Sequence, residues 1–315
     1  MAARSGAASP PQRALATRTS RAPQEARPPE RDNLGAHMSI AGGLPRALER
    51  GADVGCGVVQ IFLKNQVQWQ GRALAGDEVR AFEEERARTG IATVFAHATY
   101  LVNLASPGDR EWRRSVDAFH DELERAERLR LPWVVIHPGS HKGAGHAAGL
   151  RRVARAVDEL ARRTEGYAVR IALENTAGAG NVVGARATDL ARILELSRRP
   201  ERLAVCLDTC HLFAAGYDIR TRRGLLATLG QFTAAVGLDR VVAFHVNDAK
   251  AGLASGLDRH EHIGRGEIGL TAFRALLAHP TLGRRPMVLE TPKAGGGDRR
   301  NLETLRRLRA PRRRR

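Results

Sequence analysis

The stretch of sequence that decides the fold is residues 131–140, which read LPWVVIHPGS. Its centre, residues 133–136, is short and continuously apolar, which is typical of a parallel strand buried on both faces. A side chain that can bind a metal ion, His137, follows directly. Upstream, residues 109–130 carry apolar side chains at alternating spacings of four and three, which predicts a helix with one buried stripe. The stretch therefore predicts a helix, a buried strand and a polar strand end, in that order.

The same unit recurs along the chain. Eight short apolar runs alternate with helical patterns, and they cover residues 36–40, 58–63, 93–96, 133–136, 169–173, 204–207, 241–244 and 286–289. Eight such alternations predict an α/β protein of one domain, a (β/α)8 TIM barrel. The structural alternative is a doubly wound open sheet, but no glycine-rich phosphate fingerprint follows the first run to support it.

The two ends of the chain differ in composition from its centre. Residues 1–33 are rich in Ala, Arg, Pro and Ser without apolar periodicity, which predicts a disordered basic N-terminal extension. Residues 299–315 contain nine Arg and a single acidic residue, which predicts an Arg-rich C-terminal tail. Residues 34–298 are then the barrel domain.

The chain carries a formal net charge of +17. The N-terminal extension contributes +3, the C-terminal tail +8 and the barrel domain +6. Such a chain favours a polyanionic partner electrostatically. The alternative explanation is genomic bias, because only four of the 51 basic residues are Lys.

The cysteines and the hydropathy indicate a compartment. Cys56, Cys206 and Cys210 lack the spacing of a disulfide framework or of a paired metal motif, so we interpret them as small buried residues in a reducing environment. No apolar run approaches the roughly 18 residues that a membrane span needs. We expect a monomer in the cytoplasm that has no membrane partner.

Six of the eight apolar runs are followed directly by a side chain that can bind a metal ion. These residues are His97, His137, Glu174, Asp208, His245 and Glu290. Because the carboxyl ends of barrel strands meet at one rim, we expect them to lie together. One histidine at a strand end is more often structural, but six equivalent positions favour a shared site. His211, three residues after Asp208, and the loop residues Asp258 and His260 complete a set of nine candidate ligands.

This set of ligands indicates a type of chemistry. Mixed imidazole and carboxylate ligands suit zinc, with manganese or iron as alternatives. Nine ligands exceed what one tetrahedral ion takes, and they suffice for about two or three ions if a carboxylate bridges. Grouped cations suit phosphoryl chemistry, since they activate water and neutralise charge on the attacking and leaving oxygens.

The strand-end residues lie within longer motifs that resemble the endonuclease IV family of apurinic/apyrimidinic endonucleases. The resemblance spans about residues 35–292. The matching stretches are residues 35–39, 62–66, 137–141, 173–178, 207–211, 215–218, 245–250, 258–260, 263–264 and 289–292.

The resemblance implies a TIM barrel with about three metal ions, usually zinc, with Mn²⁺ as an alternative at one site. His97, His137 and Glu174 would hold the first ion, and Glu174 would bridge to the second. Asp208, His245 and Glu290 would complete the second site. The third would consist of His211, Asp258 and His260. Glu174 and Glu290 are the expected catalytic carboxylates, and Glu290 would orient or deprotonate the attacking water.

The resemblance also implies a substrate. The expected reaction is hydrolysis of the phosphodiester 5′ to an abasic site in duplex DNA, which leaves a 3′-hydroxyl and a 5′-deoxyribose phosphate. Trimming of blocked 3′ ends is implied as well, which places the chain in base excision repair. Tyr100 and Leu101 match the family's minor-groove wedge, and Gln66 and Gln68 would contact the duplex. Val67 departs from the pattern, since the family can carry a wedging Arg there, so the grip on the lesion is expected to differ.

Two other functions remain open from the sequence. A divalent-metal sugar isomerase or epimerase on a related barrel would need fewer ligands, so the group of His211, Asp258 and His260 favours the nuclease. A non-catalytic binder of damaged DNA would be expected to lack some ligands, whereas all nine are present.

Overall fold

The computed structural model describes residues 1–3 and 32–309, so the predictions for residues 4–31 and 310–315 lie outside the described residues. The strands, in chain order, are β1 (Leu34–Met38), β2 (Val58–Phe62), β3 (Thr93–His97), β4 (Trp133–Ile136), β5 (Arg170–Glu174), β6 (Leu203–Asp208), β7 (Val241–His245), β8 (Asp248–Ala249), β9 (His260–Glu261) and β10 (Met287–Leu289). The helices are α1 (Leu44–Val54), α2 (Gly76–Thr89), α3 (Asp109–Arg128), α4 (His146–Arg163), α5 (Ala187–Leu196), α6 (Thr209–Ala214), α7 (Arg222–Val236), α8 (Leu270–Leu277) and α9 (Gly297–Arg309).

Eight of these strands close into a barrel in the order β1-β10-β7-β6-β5-β4-β3-β2. Every neighbouring pair in the barrel is parallel. The short strands β8 and β9 form a separate antiparallel pair. The predicted TIM barrel is confirmed, and the open-sheet alternative is excluded because β1 pairs with both β2 and β10.

Alternation along each strand builds two packed layers, which explains why the runs are apolar throughout. Val135 and Ala172 belong to a cluster of buried residues inside the barrel. Their chain neighbours Val134 and Ile171 belong to the larger cluster between the strands and the surrounding helices. A strand covered on both faces has no position for a solvated side chain until it reaches the rim.

Strand β1 lies two residues before its predicted position. Glycine and alanine are poor strand formers, so the local sequence was a weak guide to the bounds of β1. Pairing with both neighbours sets the register instead, with Gly35 opposite Val58 and Val288. A Cβ atom at Gly35 would lie 1.6 Å from the Val58 carbonyl oxygen, so this close approach requires glycine.

Helix α3 confirms the predicted stripe. It begins at Asp109, and its apolar residues Trp112, Val116, Phe119, Leu123 and Ala126 are all buried. The helix therefore packs one face against the barrel, and it presents its first turns to the rim where strands β2 and β3 end.

The predicted boundary between the barrel domain and a C-terminal tail is wrong. Residues 299–309 belong to α9, whose Leu302 and Leu305 are buried in the main core. Arg306 pairs with Asp32 at 2.8 Å and donates to the Gly55 carbonyl oxygen, so the helix is also held to the segments that precede β1 and β2. The abundance of arginine obscured an amphipathic pattern in which the leucines face inwards.

The three cysteines are buried, as interpreted from the sequence. Among the described residues, no helix combines the length and the apolar character that crossing a bilayer requires.

Candidate metal centre

The barrel brings the predicted strand-end residues to one rim. His97, Glu174, Asp208 and His245 are the last residues of β3, β5, β6 and β7. His137 and Glu290 directly follow β4 and β10. The β8–β9 pair places Ala249 opposite His260, which turns the loop holding Asp258 back over the same rim. All nine predicted ligands therefore meet there, in three adjoining groups.

The first group consists of His97, His137 and Glu174. The Nε2 atoms of both histidines lie 3.0 Å from Glu174 Oε2. His97 Nδ1 donates to the Ala98 carbonyl oxygen at 2.7 Å, and this contact orients the ring so that Nε2 faces the carboxylate.

The second group consists of Glu174, Asp208, His245 and Glu290. His245 Nδ1 lies 2.8 Å from Glu174 Oε1 and 3.4 Å from Glu290 Oε2. Asn247 holds two members in place, because its Nδ2 donates to Asp208 Oδ2 at 2.7 Å and its Oδ1 accepts from the Glu290 backbone N–H at 2.8 Å. Three carboxylates and one imidazole thus face a single point.

The third group consists of His211, Asp258 and His260. The Asp258 oxygens lie 3.2 Å from His211 Nε2 and 3.0 Å from His260 Nε2. The opposite ring nitrogens donate to backbone carbonyl oxygens, His211 Nδ1 to Asn175 and His260 Nδ1 to Glu290. The two Nε2 atoms are buried and have no hydrogen bond of acceptable geometry.

These contacts test whether divalent ions fit. Each histidine of the third group is anchored through Nδ1 and aims an unsatisfied Nε2 at a carboxylate, which is the arrangement that a metal-binding imidazole adopts. The ligand atoms within each group lie within 4.8 Å of one another. Imidazole and carboxylate together suit zinc and manganese. The residues present fit divalent cations at all three groups.

Glu174 belongs to the first two groups and contacts His211 of the third, so its fully buried side chain touches four imidazoles. Burial raises the pKa of Glu174, but His245 and His137 outweigh burial and hold the pKa well below its usual range. Burial lowers the pKa of His211 and His245, yet the carboxylates around His211, and Cys206 with Glu174 beside His245, hold both pKa values well above the usual one. Without a metal ion, protons therefore occupy the positions that cations would take.

The protein stripped of metal is expected to bind zinc more tightly as the pH rises. Burial lowers the pKa of His260, but Asp258 and Asp208 outweigh burial and raise it to about 9. A metal ion has to displace this proton at neutral pH, so below pH 9 the apparent dissociation constant should fall about tenfold per pH unit for each such proton. Calorimetric titrations at several pH values, in buffers of different ionisation enthalpy, measure both affinity and proton release. An affinity independent of pH would contradict this assignment.

Cys210 also lies near the site, with its Sγ close to Asp208 and His260. Burial raises the pKa of Cys210 to about 12, and the thiol donates to the Arg259 carbonyl oxygen. Since metal binding needs the thiolate, these observations support the interpretation of Cys210 as a packing residue.

The predicted DNA-contacting residues lie on two loops at the same rim, which we call the β2 loop (residues 63–75) and the β3 loop (residues 98–108). Gln66 and Gln68 on the β2 loop are exposed, and Val67 between them is 75% exposed. Tyr100 on the β3 loop is 71% exposed, and its ring contacts Phe62 at 5.8 Å between centroids. Leu101 is half-buried beside a cavity of about 570 Å³ that reaches His97, His137 and His211.

Sequence reasoning missed the polar residues behind the ligands. Gln60 lies inside the barrel, fully buried, where its Nε2 donates to Glu290 Oε1 at 2.6 Å and its Oε1 accepts from His245 Nε2 at 2.7 Å. The signal was a single polar residue within the apolar run 58–63. Asn247, two residues after a strand-end ligand, left a weaker signal.

Known protein sequences match this chain over most of its length. The family model described as a xylose isomerase-like TIM barrel matches residues 48–310. A probable endonuclease 4 of Chloroflexus aggregans is 48% identical over 277 residues, which covers 87% of this chain and 97% of the relative. A probable endonuclease 4 of Geotalea daltonii is 44% identical over 278 residues, covering 88% and 98%.

Solved structures agree with these relatives. The crystal structure of endonuclease IV from Thermus thermophilus matches with a TM-score of 0.78 and 38% identity, and the match covers 87% of this chain and 98% of that one. A D-tagatose 3-epimerase-like protein matches with a TM-score of 0.68 at 19% identity, covering 87% and 96%. At that identity the second match reflects a shared barrel alone.

Proposed function

The chain belongs to the endonuclease IV family of DNA-cleaving hydrolases, and from this premise we propose that it nicks duplex DNA at abasic sites. The proposed reaction hydrolyses the phosphodiester 5′ to the missing base and leaves a 3′-hydroxyl and a 5′-deoxyribose phosphate. The proposed setting is base excision repair in the bacterial cytoplasm, with the chain acting as a monomer. Removal of blocked 3′ ends is proposed as a second activity of the same site.

The observation that carries the proposal is the set of three adjoining ligand groups, two of which contain Glu174 while the third contacts it through His211. We assign His97, His137 and Glu174 to one ion, and Glu174, Asp208, His245 and Glu290 to a second. His211, Asp258 and His260 are assigned to a third. The proposed ions are zinc, with Mn²⁺ as an alternative at one site. Bound divalent cations supply Lewis-acid stabilisation of a phosphoryl group and acidify water.

The chain's own residues supply the proton acceptor. Glu290 is the most open of the three carboxylates in the second group, with a side chain 18% exposed, whereas Glu174 and Asp208 are fully buried. Burial raises the pKa of Glu290, but His245 and the hydrogen bond from His37 outweigh burial and lower it, so the carboxylate is ionised at neutral pH. Held by Gln60, it is oriented to take a proton from a water molecule at the rim.

The two loops at the rim supply the proposed grip on the lesion. Tyr100 and Leu101 would enter the minor groove and hold the kinked duplex where no base stacks, which is where extrusion costs least. Gln66 and Gln68 would contact the strands on either side. Val67 offers an apolar surface in place of a cation, so its contact with the DNA would depend less on salt than an arginine contact.

Replacing Tyr100 with alanine is expected to weaken binding to an abasic duplex about tenfold, or about 1.4 kcal/mol. Binding to the matched intact duplex should change less than twofold, since an intact stack admits no wedge. Fluorescence anisotropy with both duplexes at one salt concentration measures the ratio. Equal losses on both duplexes would argue against a wedge, and Leu257→Ala, which removes another exposed apolar side chain from the same rim, is the matched control.

The direct test uses a duplex with one tetrahydrofuran residue and a label at each 5′ end. The expected result is a single nick on the 5′ side of the tetrahydrofuran, with a 3′ end that a DNA polymerase extends. Incubation with a chelator should abolish the nick, and added zinc should restore it. Elemental analysis of the active protein should find about three ions per chain. No nick with metal-loaded protein, or an unchanged nick after complete metal removal, would overturn the proposal.

A further inference from the structure

Lys64 is a buried lysine that the proposed reaction does not use. Its side chain is 2% exposed although it begins the β2 loop at the rim. The Nζ atom donates to the Trp69 and Ala118 carbonyl oxygens, both at 2.9 Å, and to Asp121 Oδ2 at 3.0 Å. One ammonium group thus joins the start of the β2 loop, its middle and helix α3.

Glu122 on α3 is fully buried and lies 3.2 Å from Lys64 Nζ. Its carboxylate accepts from the Thr99 hydroxyl at 3.0 Å and from the Thr99 backbone N–H at 3.3 Å. Thr99 directly precedes Tyr100, so Glu122 fixes the backbone from which the exposed tyrosine projects. Lys64 and Glu122 together form a continuous polar link between the β2 and β3 loops.

Helix α3 supports both loops at further points on the same face. The Arg114 guanidinium lies 4.2 Å from the centroid of the Trp69 ring in the β2 loop. Ser115 Oγ accepts from the Asn103 backbone N–H in the β3 loop at 3.1 Å. The two loops therefore both contact helix α3, and the buried ion pair is one of the links between them.

We propose that Lys64 and Glu122 are positioning residues that set the spacing between the β2 and β3 loops, so that Gln66, Gln68 and Tyr100 engage one lesion together. This inference rests on the proposed function, because it concerns how the chain grips abasic DNA. Neither residue touches the metal-binding groups. Their loss should therefore affect the recognition of the lesion and leave the chemistry of the metal centre unchanged.

A buried pair is suited to this task. A surface ion pair leaves its loops free to move, whereas a buried charge that loses its partner is strongly destabilised, so the pair tolerates one geometry. Lys64 also donates to two backbone carbonyl oxygens, and the hydrogen bond to the Ala118 oxygen is buried. A loop held in the binding conformation avoids the cost of ordering when DNA arrives.

The test compares Lys64→Met, Glu122→Gln and the double variant with the wild-type chain, all loaded with metal. For Lys64→Met we expect about tenfold weaker binding to a tetrahydrofuran duplex and a KM raised by a similar factor. Binding to intact duplex and kcat at saturation should stay within twofold. Hydrolysis of bis(4-nitrophenyl) phosphate, which has no duplex to kink and so does not depend on the spacing of the two loops, and metal content should stay unchanged. Glu122→Gln, which keeps an acceptor for Thr99, should lose less affinity.

The double variant separates a loss of loop positioning from a loss of folding. It leaves neither partner of the pair as an unpaired buried charge, yet it still lacks the hydrogen bond from Lys64 to the Trp69 carbonyl oxygen. We expect it to be more stable than Lys64→Met and to bind abasic DNA equally weakly. Asp158→Ala is the matched control, because Asp158 Oδ1 also joins two segments, through Ser197 Oγ and the Arg198 N–H, at the opposite end of the barrel. It should change stability alone.

Two outcomes would overturn the coupling of the loops. One is a folded Lys64→Met chain, or a folded double variant, that binds abasic duplex as tightly as wild type. The other is an equal loss of small-diester hydrolysis, which would show that the pair supports the metal centre. A wild-type chain that does not nick the tetrahydrofuran duplex would instead reject the proposed function, before any variant is compared.

Discussion

Replacing Glu290 with glutamine is expected to slow the nicking of an abasic duplex about a thousandfold, within the range that a positioned proton acceptor contributes. Glutamine has the size of glutamate, but its amide does not accept a proton at neutral pH. Gln60, which donates to Glu290 Oε1, can still donate to the glutamine carbonyl oxygen, so the side chain should keep its place. The dissociation constant for uncleaved abasic duplex should change less than about threefold, because the residues proposed to grip DNA lie on other loops.

Single-turnover rates at saturating enzyme measure the chemical step, and anisotropy in calcium or at low temperature measures binding. Glu267→Gln is the matched control, since Glu267 is an exposed carboxylate of the loop between β9 and α8 and belongs to none of the ligand groups. It should nick at the wild-type rate. Near-normal turnover by Glu290→Gln would remove Glu290 from the mechanism. A parallel loss of bound metal would reassign it as a ligand alone.

The barrel was predictable because parallel strands covered on both faces leave a clear pattern. Residues 133–136 show it in its simplest form, with four buried apolar residues and a polar residue at the rim. The pattern was weaker at β1, where contacts with β2 and β10 fix the register and a glycine is required for close approach. At α9 the prediction was wrong, because the burial of Leu302 and Leu305 depends on a docking surface that composition does not reveal.

The ligands were predictable because the fold places chemically equivalent positions at one rim, so residue type and strand end together identify them. The residues that orient these ligands carry no such signature. Gln60 reaches Glu290 and His245 from a different strand, and Lys64 on the β2 loop reaches Glu122 on helix α3, so their roles depend on distances that only the folded chain defines. Each was nevertheless a polar residue in or beside an apolar run.

The arrangement of the rim makes Glu174 its most consequential residue. Among the described residues, it is the one carboxylate that belongs to both the first and the second ligand group, and it also lies 3.2 Å from His211 of the third. A charged carboxylate so deeply buried is stabilised only by the positive charge around it, whether protons or metal ions supply that charge. The site therefore depends on Glu174 for charge as well as for coordination.

Replacing Glu174 with glutamine is accordingly expected to remove most of the bound metal and to lower the rate of nicking by more than about a thousandfold. This loss of rate should exceed that for a substitution of any residue assigned to a single ion. An amide supplies no negative charge, so the four imidazoles would lose the carboxylate that they share, and binding of cations there would be weakened. Elemental analysis should find about one ion or none, in contrast with about three in the wild-type protein. The melting temperature should also lose its dependence on added zinc, because a site that no longer binds the ion gains no stability from it.

Asp248→Asn separates this effect from a general loss of packing. Asp248 is equally buried at the same rim, and its carboxylate accepts from the backbone N–H groups of Ala249, Gly264, Gly266 and Ile268, yet it belongs to none of the ligand groups. Its substitution should lower the melting temperature and leave the metal content and zinc dependence intact. Two results would contradict this role: Glu174→Gln that retains all of its metal, or Asp248→Asn that loses metal to the same extent. Glu174 would then be one structural carboxylate among several. The contact of Glu174 with all three groups would no longer explain the chemistry of the rim.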